Sequence, residues 1–265
     1  MDAELRLLRG LTRRLPPLPK MEGLARHVAR RFYLRRPRPP VVTEVHGLAM
    51  ELDPHELVDG LILFTPQLHD RRALRFLTRQ LRPGDVFLDL GAHIGLYSLV
   101  LARRVGPAGR VLAVEPEPDS FARLLSNVAR NDLAQVEAVQ AAVSDREETR
   151  TLWLAARGNR GGSSFLRGAG ASLEVRCLPV PRLLADRGLP VVHAAKLDLE
   201  GFELRVLQAW AEAVSPARMP RAMVVERHPD LLEGAGGDVA RWLVDRGWAV
   251  QRAGRHDLLA LRPDP

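Results

Sequence analysis

Short apolar runs alternate with amphipathic segments along most of the chain after residue 70. The run 86–90 is apolar apart from Asp89 and is followed by glycine, which is typical of a buried strand. Residues 71–81 carry apolar side chains at helical spacing, and Arg82-Pro83-Gly84 ends that segment. The predicted strands are 86–90, 111–115, 136–140, 194–199, 222–226, 248–252 and 257–262, and the predicted helices among them are 95–104, 118–130, 203–213 and 236–246. This alternation predicts an α/β fold, a doubly wound and mostly parallel seven-stranded sheet whose last two strands form an antiparallel edge.

The first seventy residues follow a different pattern. Residues 41–45 and 48–52 flank His46-Gly47 and predict a small hairpin, preceded by a proline-rich linker at 37–40. We therefore expect two domains, a basic arm with a hairpin at 1–70 that could cap a substrate, and the main domain at 71–265.

A second interruption lies between the third and fourth predicted strands. Two extended segments, 149–154 and 173–180, enclose a tract at 156–164 that is rich in Gly, Ser and Arg. This tract could be a lid over a site or the tip of a surface hairpin.

Composition limits the compartment and the redox chemistry. The single cysteine, Cys177, excludes an internal disulfide and a thiolate zinc cage, and we expect it to be a buried strand thiol. The apolar runs are far shorter than the roughly 20 residues of a membrane helix, and the basic N-terminus lacks the apolar stretch of a signal peptide. We expect a cytoplasmic protein with no transmembrane segment.

Positive charge is concentrated in the N-terminal arm. The formal net charge is +7, and residues 1–40 alone carry 11 Arg and Lys against three acids. Such an arm could meet nucleic acid, an anionic membrane surface or an acidic substrate, or it could be a solvated amphipathic helix with residues such as Leu5 and Leu8 on its apolar side. Lysine occurs only at positions 20 and 196.

The first chemical signal is a glycine turn of the form Asp89-x-Gly91-x-x-x-Gly95, followed by a strand that ends in Glu115. A strand, a glycine turn, a helix and a second strand ending in an acid form a nucleoside half-site, in which the acid accepts hydrogen bonds from ribose hydroxyls. Asp89 would repel a pyrophosphate but suits the amino and sulfonium groups of S-adenosylmethionine, so we favour this cofactor over NAD and over a purely structural turn. His93, inside the turn, would contact the cofactor.

The second signal is Lys196-Leu-Asp198-Leu-Glu200. Strand alternation places these three charged residues on one side until Gly201, at the sheet edge where ligands bind in open α/β folds. The two carboxylates could orient the methionine ammonium, hold a metal or remove a proton from an acceptor hydroxyl. The structural alternative is a Lys–Glu ion pair with an Asp or Glu opening the next helix, and Glu203 is expected to be an acid of that helix's first turn.

The third signal is the strand 222–226, which delivers Glu226 and His228 to the same edge. His228 suits a general base, and an exposed turn histidine before proline is an equally good interpretation. We rank the candidate bases as Asp198, Glu200 and His228. If a divalent metal is used, Asp198 and Glu226 are the expected ligands.

Several motifs, taken in order, resemble the FkbM-type S-adenosylmethionine-dependent methyltransferases. The resemblance runs from about Pro66 to Arg262 through DVFLDLGAHIGLYSLVLA, GRVLAVEPEPDSFARLLSNVARN, AAVSD, GGSSF, AAKLDLEGFELRVLQ and VVERHP. It implies a class I, Rossmann-like methyltransferase fold and O-methylation of a natural product or sugar. It also implies a set of cofactor-binding residues, namely Asp89, Gly91 and Gly95 in the turn, Glu115 at the ribose, Ser144 and Asp145 at the adenine, and Asp198 at the junction with the acceptor. To these we add His93, which stands in the turn where the family usually has Asn, and Pro116 after Glu115.

Two other classes of function compete with this interpretation. A nucleic-acid methyltransferase would need a base-stacking motif after the fourth strand, and the sequence offers Phe202 without an Asn-Pro-Pro-Tyr-like segment. A non-catalytic module would bind a partner or a membrane surface through residues 1–40. We expect a small-molecule hydroxyl acceptor as the partner, disfavour nucleic acid, and leave a homo-oligomer open.

Overall fold

The computed structural model describes residues 3–14, 39–155, 163, 171–227, 238–254 and 256–263. The candidate base His228 and the tract 156–164, apart from Ser163, lie outside these residues. The chain divides into two compact units, one of residues 1–71 with 155–161 and one of residues 72–154 with 162–265.

The first unit contains α1 (Ala3–Thr12), the strands β1 (Val41–Val45) and β2 (Leu48–Leu52), and α2 (Leu57–Phe64). The predicted hairpin is confirmed, since β1 and β2 pair antiparallel with Val45 opposite Leu48. His46 and Gly47 both have positive φ, as a two-residue hairpin turn requires.

Two arginines of the basic arm donate hydrogen bonds to backbone carbonyls of this unit. Arg9 Nη2 donates to the carbonyl of Glu44 at 3.2 Å, and Arg13 Nε donates to the carbonyl of Leu63 at 3.4 Å. Burial lowers the pKa of Arg13 to about 10. These two arginines therefore help to hold the first unit together, as does the buried Leu5 of α1.

The second unit is built on the predicted seven-stranded sheet. Its strands are β3 (Val86–Leu90), β4 (Arg110–Val114), β5 (Val136–Val139), β9 (Ala194–Leu197), β10 (Ala222–Glu226), β11 (Ala249–Ala253) and β12 (Asp257–Leu261). Their order in the sheet is β11–β12–β10–β9–β3–β4–β5. Its helices are α3 (Arg71–Gln80), α4 (Leu96–Val105), α5 (Pro118–Ala129), α6 (Val180–Ala185), α7 (Glu203–Ala213) and α8 (Val239–Asp245), with a 3₁₀ turn at Pro216–Arg218. Strands β5, β4, β3, β9 and β10 are parallel, and β12 pairs antiparallel with β10 and β11. The predicted class I methyltransferase fold is confirmed.

The topology places a crevice at the centre of this sheet. The chain runs outwards from β3 through β4 and β5 on one side, and through β9 and β10 on the other. Ligands of open α/β sheets bind beyond the carboxyl ends of the strands where the order reverses in this way. The site should therefore lie after Leu90 and Leu197, the last residues of β3 and β9.

The central strands are almost continuously apolar because helices cover both of their faces. Leu88, Leu90 and Leu197 are fully buried in one hydrophobic core cluster. Two charged residues interrupt this core, and they lie opposite each other, since Asp89 and Lys196 are register partners on β3 and β9.

The segment between β5 and β9 forms a second, smaller sheet. Strands β6 (Ala142–Val143), β7 (Glu148–Trp153) and β8 (Ser172–Leu178) lie in the order β6–β8–β7. The two predicted extended segments are thus confirmed, except that the second ends at Leu178 and α6 begins at Val180. Cys177 is completely buried on β8, as expected, and burial raises the pKa of its thiol to about 11.

The fourth strand of the sheet ends earlier than the sequence predicts. β9 stops at Leu197, and Glu200 and Gly201 have φ values of 50° and 100°, so the chain leaves the extended conformation before the helix begins. The expectation that strand alternation extends to Glu200 is therefore wrong. Within the described ranges, none of the helices is both long and apolar enough to cross a bilayer.

Candidate functional site

The glycine turn connects β3 to α4 and approaches the end of β9 very closely. Gly91 N and Ala92 N both donate to the carbonyl of Val114, at 2.9 and 3.0 Å. Gly91 has a φ of 79°, and a Cβ there would lie 2.0 Å from the carbonyl oxygen of Asp198. Glycine is required at this position because any side chain would drive the two backbones apart.

Asp89 is fully buried, just before the turn. Its Oδ2 accepts a hydrogen bond from Ser98 Oγ of α4 at 2.5 Å, and its Oδ1 has no hydrogen-bond partner among the described residues. Burial raises the pKa of this carboxyl group, and the nearby Lys196 ammonium opposes that rise. Asp89 therefore links β3 to α4 and brings a carboxyl group with an unused acceptor to the crevice.

Glu115 ties the end of β4 to the glycine turn. Its Oε2 accepts from His93 N at 2.8 Å, and its Oε1 accepts from Glu117 N at 2.9 Å. Burial raises the pKa of Glu115 to about 7, against the effect of these two N–H groups. Because a carboxylate can accept about four hydrogen bonds, two acceptor positions remain for ribose hydroxyls.

The predicted adenine contacts form a polar cluster after β6. Ser144 Oγ lies 3.0 Å from Asp145 Oδ1 and 3.3 Å from Glu148 Oε1, and Ser144 N donates to the carbonyl of Leu178. This cluster supplies a hydroxyl and two carboxylates. Its assignment to the adenine stays a prediction.

Lys196 joins the turn to Asp198, a contact that the sequence does not predict. Its Nζ donates to the carbonyl oxygen of Gly91 and to Asp198 Oδ2, both at 2.9 Å, and lies 5.3 Å from the centre of the Tyr97 ring. The Asp198 and Asp89 carboxylates hold the pKa of Lys196 above its ordinary value in spite of burial. The sequence feature that points to this contact is a lysine within an apolar strand, in a chain whose basic residues are almost all arginine.

Asp198 has two carboxyl neighbours, Glu200 after β9 and Glu226 at the end of β10, and these three residues form the carboxyl cluster. Burial and the neighbouring Asp198 raise the pKa of Glu226 far above its ordinary value. Burial and the Asp198 charge also raise the pKa of Glu200 to about 8. Glu200 therefore lies near Asp198, although residues 198–200 are not part of a strand.

Glu203 holds the backbone that carries this cluster. It is the first residue of α7, as predicted, and its Oε1 accepts from Leu199 N at 2.8 Å and from Gly201 N at 3.2 Å. Burial raises the pKa of Glu203 to about 7. The side chain therefore fixes the path of residues 199–201.

This burial predicts a pH-dependent contribution to stability. In the folded protein the pKa of Glu203 lies near 7, above the ordinary 4.5. The contribution of the protonated side chain to the free energy of unfolding is therefore complete below pH 4.5 and is lost as the pH rises through 7. We expect the difference in unfolding free energy between the wild type and Glu203→Gln to fall by about 2–3 kcal/mol between about pH 5 and about pH 8. Urea denaturation at the two pH values measures it. The exposed Glu212 of the same helix gives the control Glu212→Gln, and an equal pH dependence in both variants would contradict the assignment.

The surroundings of Phe202 bear on the alternative of a nucleic-acid methyltransferase. Phe202 is buried, and the guanidinium groups of Arg150 and Arg205 lie over its ring at 4.7 and 5.3 Å from the centre. The ring is therefore not exposed for stacking on a nucleic-acid base.

Across the described part of the chain, no group of three or more His, Cys, Asp or Glu residues is placed to hold a metal ion, so the metal hypothesis depends on Asp198 and Glu226 alone.

Comparison with known proteins identifies the family. Residues 89–254 match the family model of the methyltransferase FkbM domain, which covers the glycine turn, the carboxyl cluster and the sheet as far as the end of β11. The chain belongs to the FkbM methyltransferase family. It is similar to the 31-O-demethyl-FK506 methyltransferase FkbM of Streptomyces tacrolimicus, with 32% identity over 202 residues, covering 64% of this chain and 75% of that one.

This FkbM-family methyltransferase has other relatives. The hexuronic acid methyltransferase AglP of Haloferax volcanii is 24% identical over 193 residues, covering 72% of this chain and 75% of that one. A crystal structure of methyltransferase FkbM from Methylobacillus flagellatus KT superposes with a TM-score of 0.49 at 14% identity, covering 97% of this chain and 58% of that one.

The methyltransferase is S-adenosylmethionine-dependent, and the residues at the crevice fit that molecule. Asp89 and Asp198 supply carboxyl groups for a ligand that carries ammonium and sulfonium charges, and Asp89 Oδ1 is a buried acceptor without a partner in the described structure. Glu115 keeps acceptor positions for ribose hydroxyls at the end of the adjacent strand. These three residues are the ones that would hold the cofactor.

Proposed function

We propose that this methyltransferase methylates a hydroxyl oxygen of a small molecule, a natural product or a sugar. The observation that carries the proposal is the Asp198 carboxylate, which Lys196 links to Gly91 of the glycine turn through two contacts of 2.9 Å and which has Glu200 and Glu226 as neighbours. A hydroxyl group must lose its proton when its oxygen is methylated, so the site needs a proton acceptor beside the acceptor oxygen.

Asp198 is the best proton acceptor of the cluster. S-adenosylmethionine, when bound, supplies a methyl group on a positively charged sulfur. The side chain of Asp198 is 29% exposed, and its Oδ2 is held by the Lys196 ammonium, which favours the ionised carboxylate. Glu200, with a pKa of about 8, is mostly protonated at neutral pH and is better suited to orient the acceptor through a hydrogen bond.

The names of two relatives support a hydroxylated acceptor. One acts on 31-O-demethyl-FK506, a name that places the missing methyl group on an oxygen, and the other acts on hexuronic acid. The buried ring of Phe202 disfavours the nucleic-acid alternative, because that alternative needs an aromatic ring that can stack on a base.

An acceptor screen tests the proposal. Purified protein is incubated with methyl-labelled S-adenosylmethionine and a panel of hydroxylated macrolides and sugars, with matched amines and RNA oligonucleotides alongside, and mass spectrometry locates the methyl group. We expect labelling of a hydroxyl oxygen. Transfer only to nitrogen or to RNA would contradict the proposal.

The same assay tests the role of Asp198. We expect Asp198→Asn to lower kcat by about 100-fold or more, because the amide cannot take up the hydroxyl proton. Glu212→Gln, which removes one exposed carboxylate on α7, is the matched control and should retain the wild-type kcat. A kcat for Asp198→Asn within a few-fold of that control would exclude Asp198 as the base.

A further inference from the structure

Lys196 is a buried ammonium that the proposed mechanism does not use directly. It occupies a position in β9 between alanine and leucine, where an apolar side chain would avoid the cost of burying a charge. Its side chain is 11% exposed, and its Nζ has the two oxygen partners already described, from Gly91 and Asp198.

Both partners are held from a second side by the backbone. Gly91 N donates to the carbonyl of Val114, while its carbonyl accepts from Lys196. Asp198 N donates to the carbonyl of Leu90, while its Oδ2 accepts from Lys196. The ammonium therefore completes a link between the turn after β3 and the carboxylate after β9, where a Cβ on Gly91 would clash with the carbonyl oxygen of Asp198.

We propose that Lys196 is a positioning residue that holds Asp198 and the Gly91 peptide in place for the cofactor. Without the ammonium, the Asp198 side chain would lose the partner that ties it to the glycine turn, and the Gly91 carbonyl would lose its Lys196 donor. Lys196 is thus expected to act on cofactor binding mainly through Asp198. This proposal concerns only the cofactor, so its outcome is independent of whether the acceptor is a hydroxyl.

The test is a double-mutant cycle read by calorimetric titration with S-adenosylmethionine and, separately, with S-adenosylhomocysteine, which lacks the sulfonium charge. The variants are Lys196→Met, Asp198→Asn and both together. We expect Lys196→Met to weaken the binding of both ligands by about tenfold, the effect of one charge-assisted hydrogen bond. In the Asp198→Asn background the same change should cost no more than about twofold, because the two residues act as one unit.

Asn127 provides a matched control. Its Nδ2 donates to the carbonyl of Ile94 in the glycine turn at 3.0 Å, so Asn127→Ala removes a buried donor from the same turn without touching Asp198. The loss of affinity caused by Asn127→Ala, whatever its size, should be the same with and without Asp198→Asn.

Three results would overturn the proposal. Equal losses for Lys196→Met in both backgrounds would make Lys196 a general structural residue. Tighter binding of S-adenosylmethionine with unchanged binding of S-adenosylhomocysteine would show that the ammonium only repels the cationic ligand. Unchanged binding of both ligands would show that Lys196 has no effect on the cofactor. If circular dichroism shows that Lys196→Met does not fold, Lys196→Gln, which keeps an amide donor without the charge, is taken through the same cycle.

Discussion

Replacing Gly91 with alanine is expected to destabilise the protein by about 3–5 kcal/mol and to abolish cofactor binding. The added Cβ would lie 2.0 Å from the carbonyl oxygen of Asp198 and 3.1 Å from its carbonyl carbon, both backbone atoms. The strain cannot be relieved by a rotamer change, so the turn and the end of β9 must separate. That separation would break the link that Lys196 makes between them. Urea denaturation gives the stability, and calorimetric titration with S-adenosylmethionine gives the binding.

Gly84 allows the clash to be separated from backbone strain. Its φ of 90° is as left-handed as that of Gly91, but a Cβ there would meet no atom within 4 Å. We expect Gly84→Ala to cost only about 1 kcal/mol, the ordinary penalty for a non-glycine residue in this conformation, and to leave binding intact. Similar losses in the two variants would show that backbone conformation, and not the approach to Asp198, accounts for the requirement at Gly91.

The elements that position the site were predictable because local patterns determine them. The apolar runs of β3 and β4, the glycines after β3 and the acid after β4 are all separated by fewer than thirty residues, and each follows from strand or turn chemistry alone. The parallel order then places Glu115, Asp198 and Glu226 at one edge, since the carboxyl ends of parallel strands meet there.

The contacts inside the site were not predictable in the same way. Lys196 and Gly91 are 105 positions apart, and they touch only because β9 lies beside β3 in the sheet. The strand-to-turn boundary after Leu197 was also missed, because the apolar Leu199 prolongs the alternating pattern into a segment where Glu200 has positive φ. Local hydrogen bonds, which Leu199 N and Gly201 N donate to the Glu203 carboxylate, hold that segment out of the strand conformation.

Replacing Glu115 with alanine is expected to weaken S-adenosylmethionine binding by about 100-fold, the effect of two lost hydrogen bonds to a charged acceptor. The carboxylate lies at the end of β4, where an acid accepts ribose hydroxyls, and it also fixes the turn through His93 N at 2.8 Å. Loss of the side chain removes both functions at once. Calorimetric titration of the folded variant with S-adenosylmethionine measures the change.

Glu117→Ala is the matched control for this experiment, because Glu117 is as buried as Glu115 and lies only two residues further along the chain. It accepts two backbone hydrogen bonds, from Asp119 N at 3.1 Å and Ser120 N at 2.7 Å, and caps α5 without any predicted cofactor contact. We expect both alanine variants to lose about 1–2 kcal/mol of stability, but only Glu115→Ala to lose affinity. Equal affinities in the two variants would mean that the acid after β4 serves the fold alone, and the ribose contact would then have to come from another residue at this edge of the sheet.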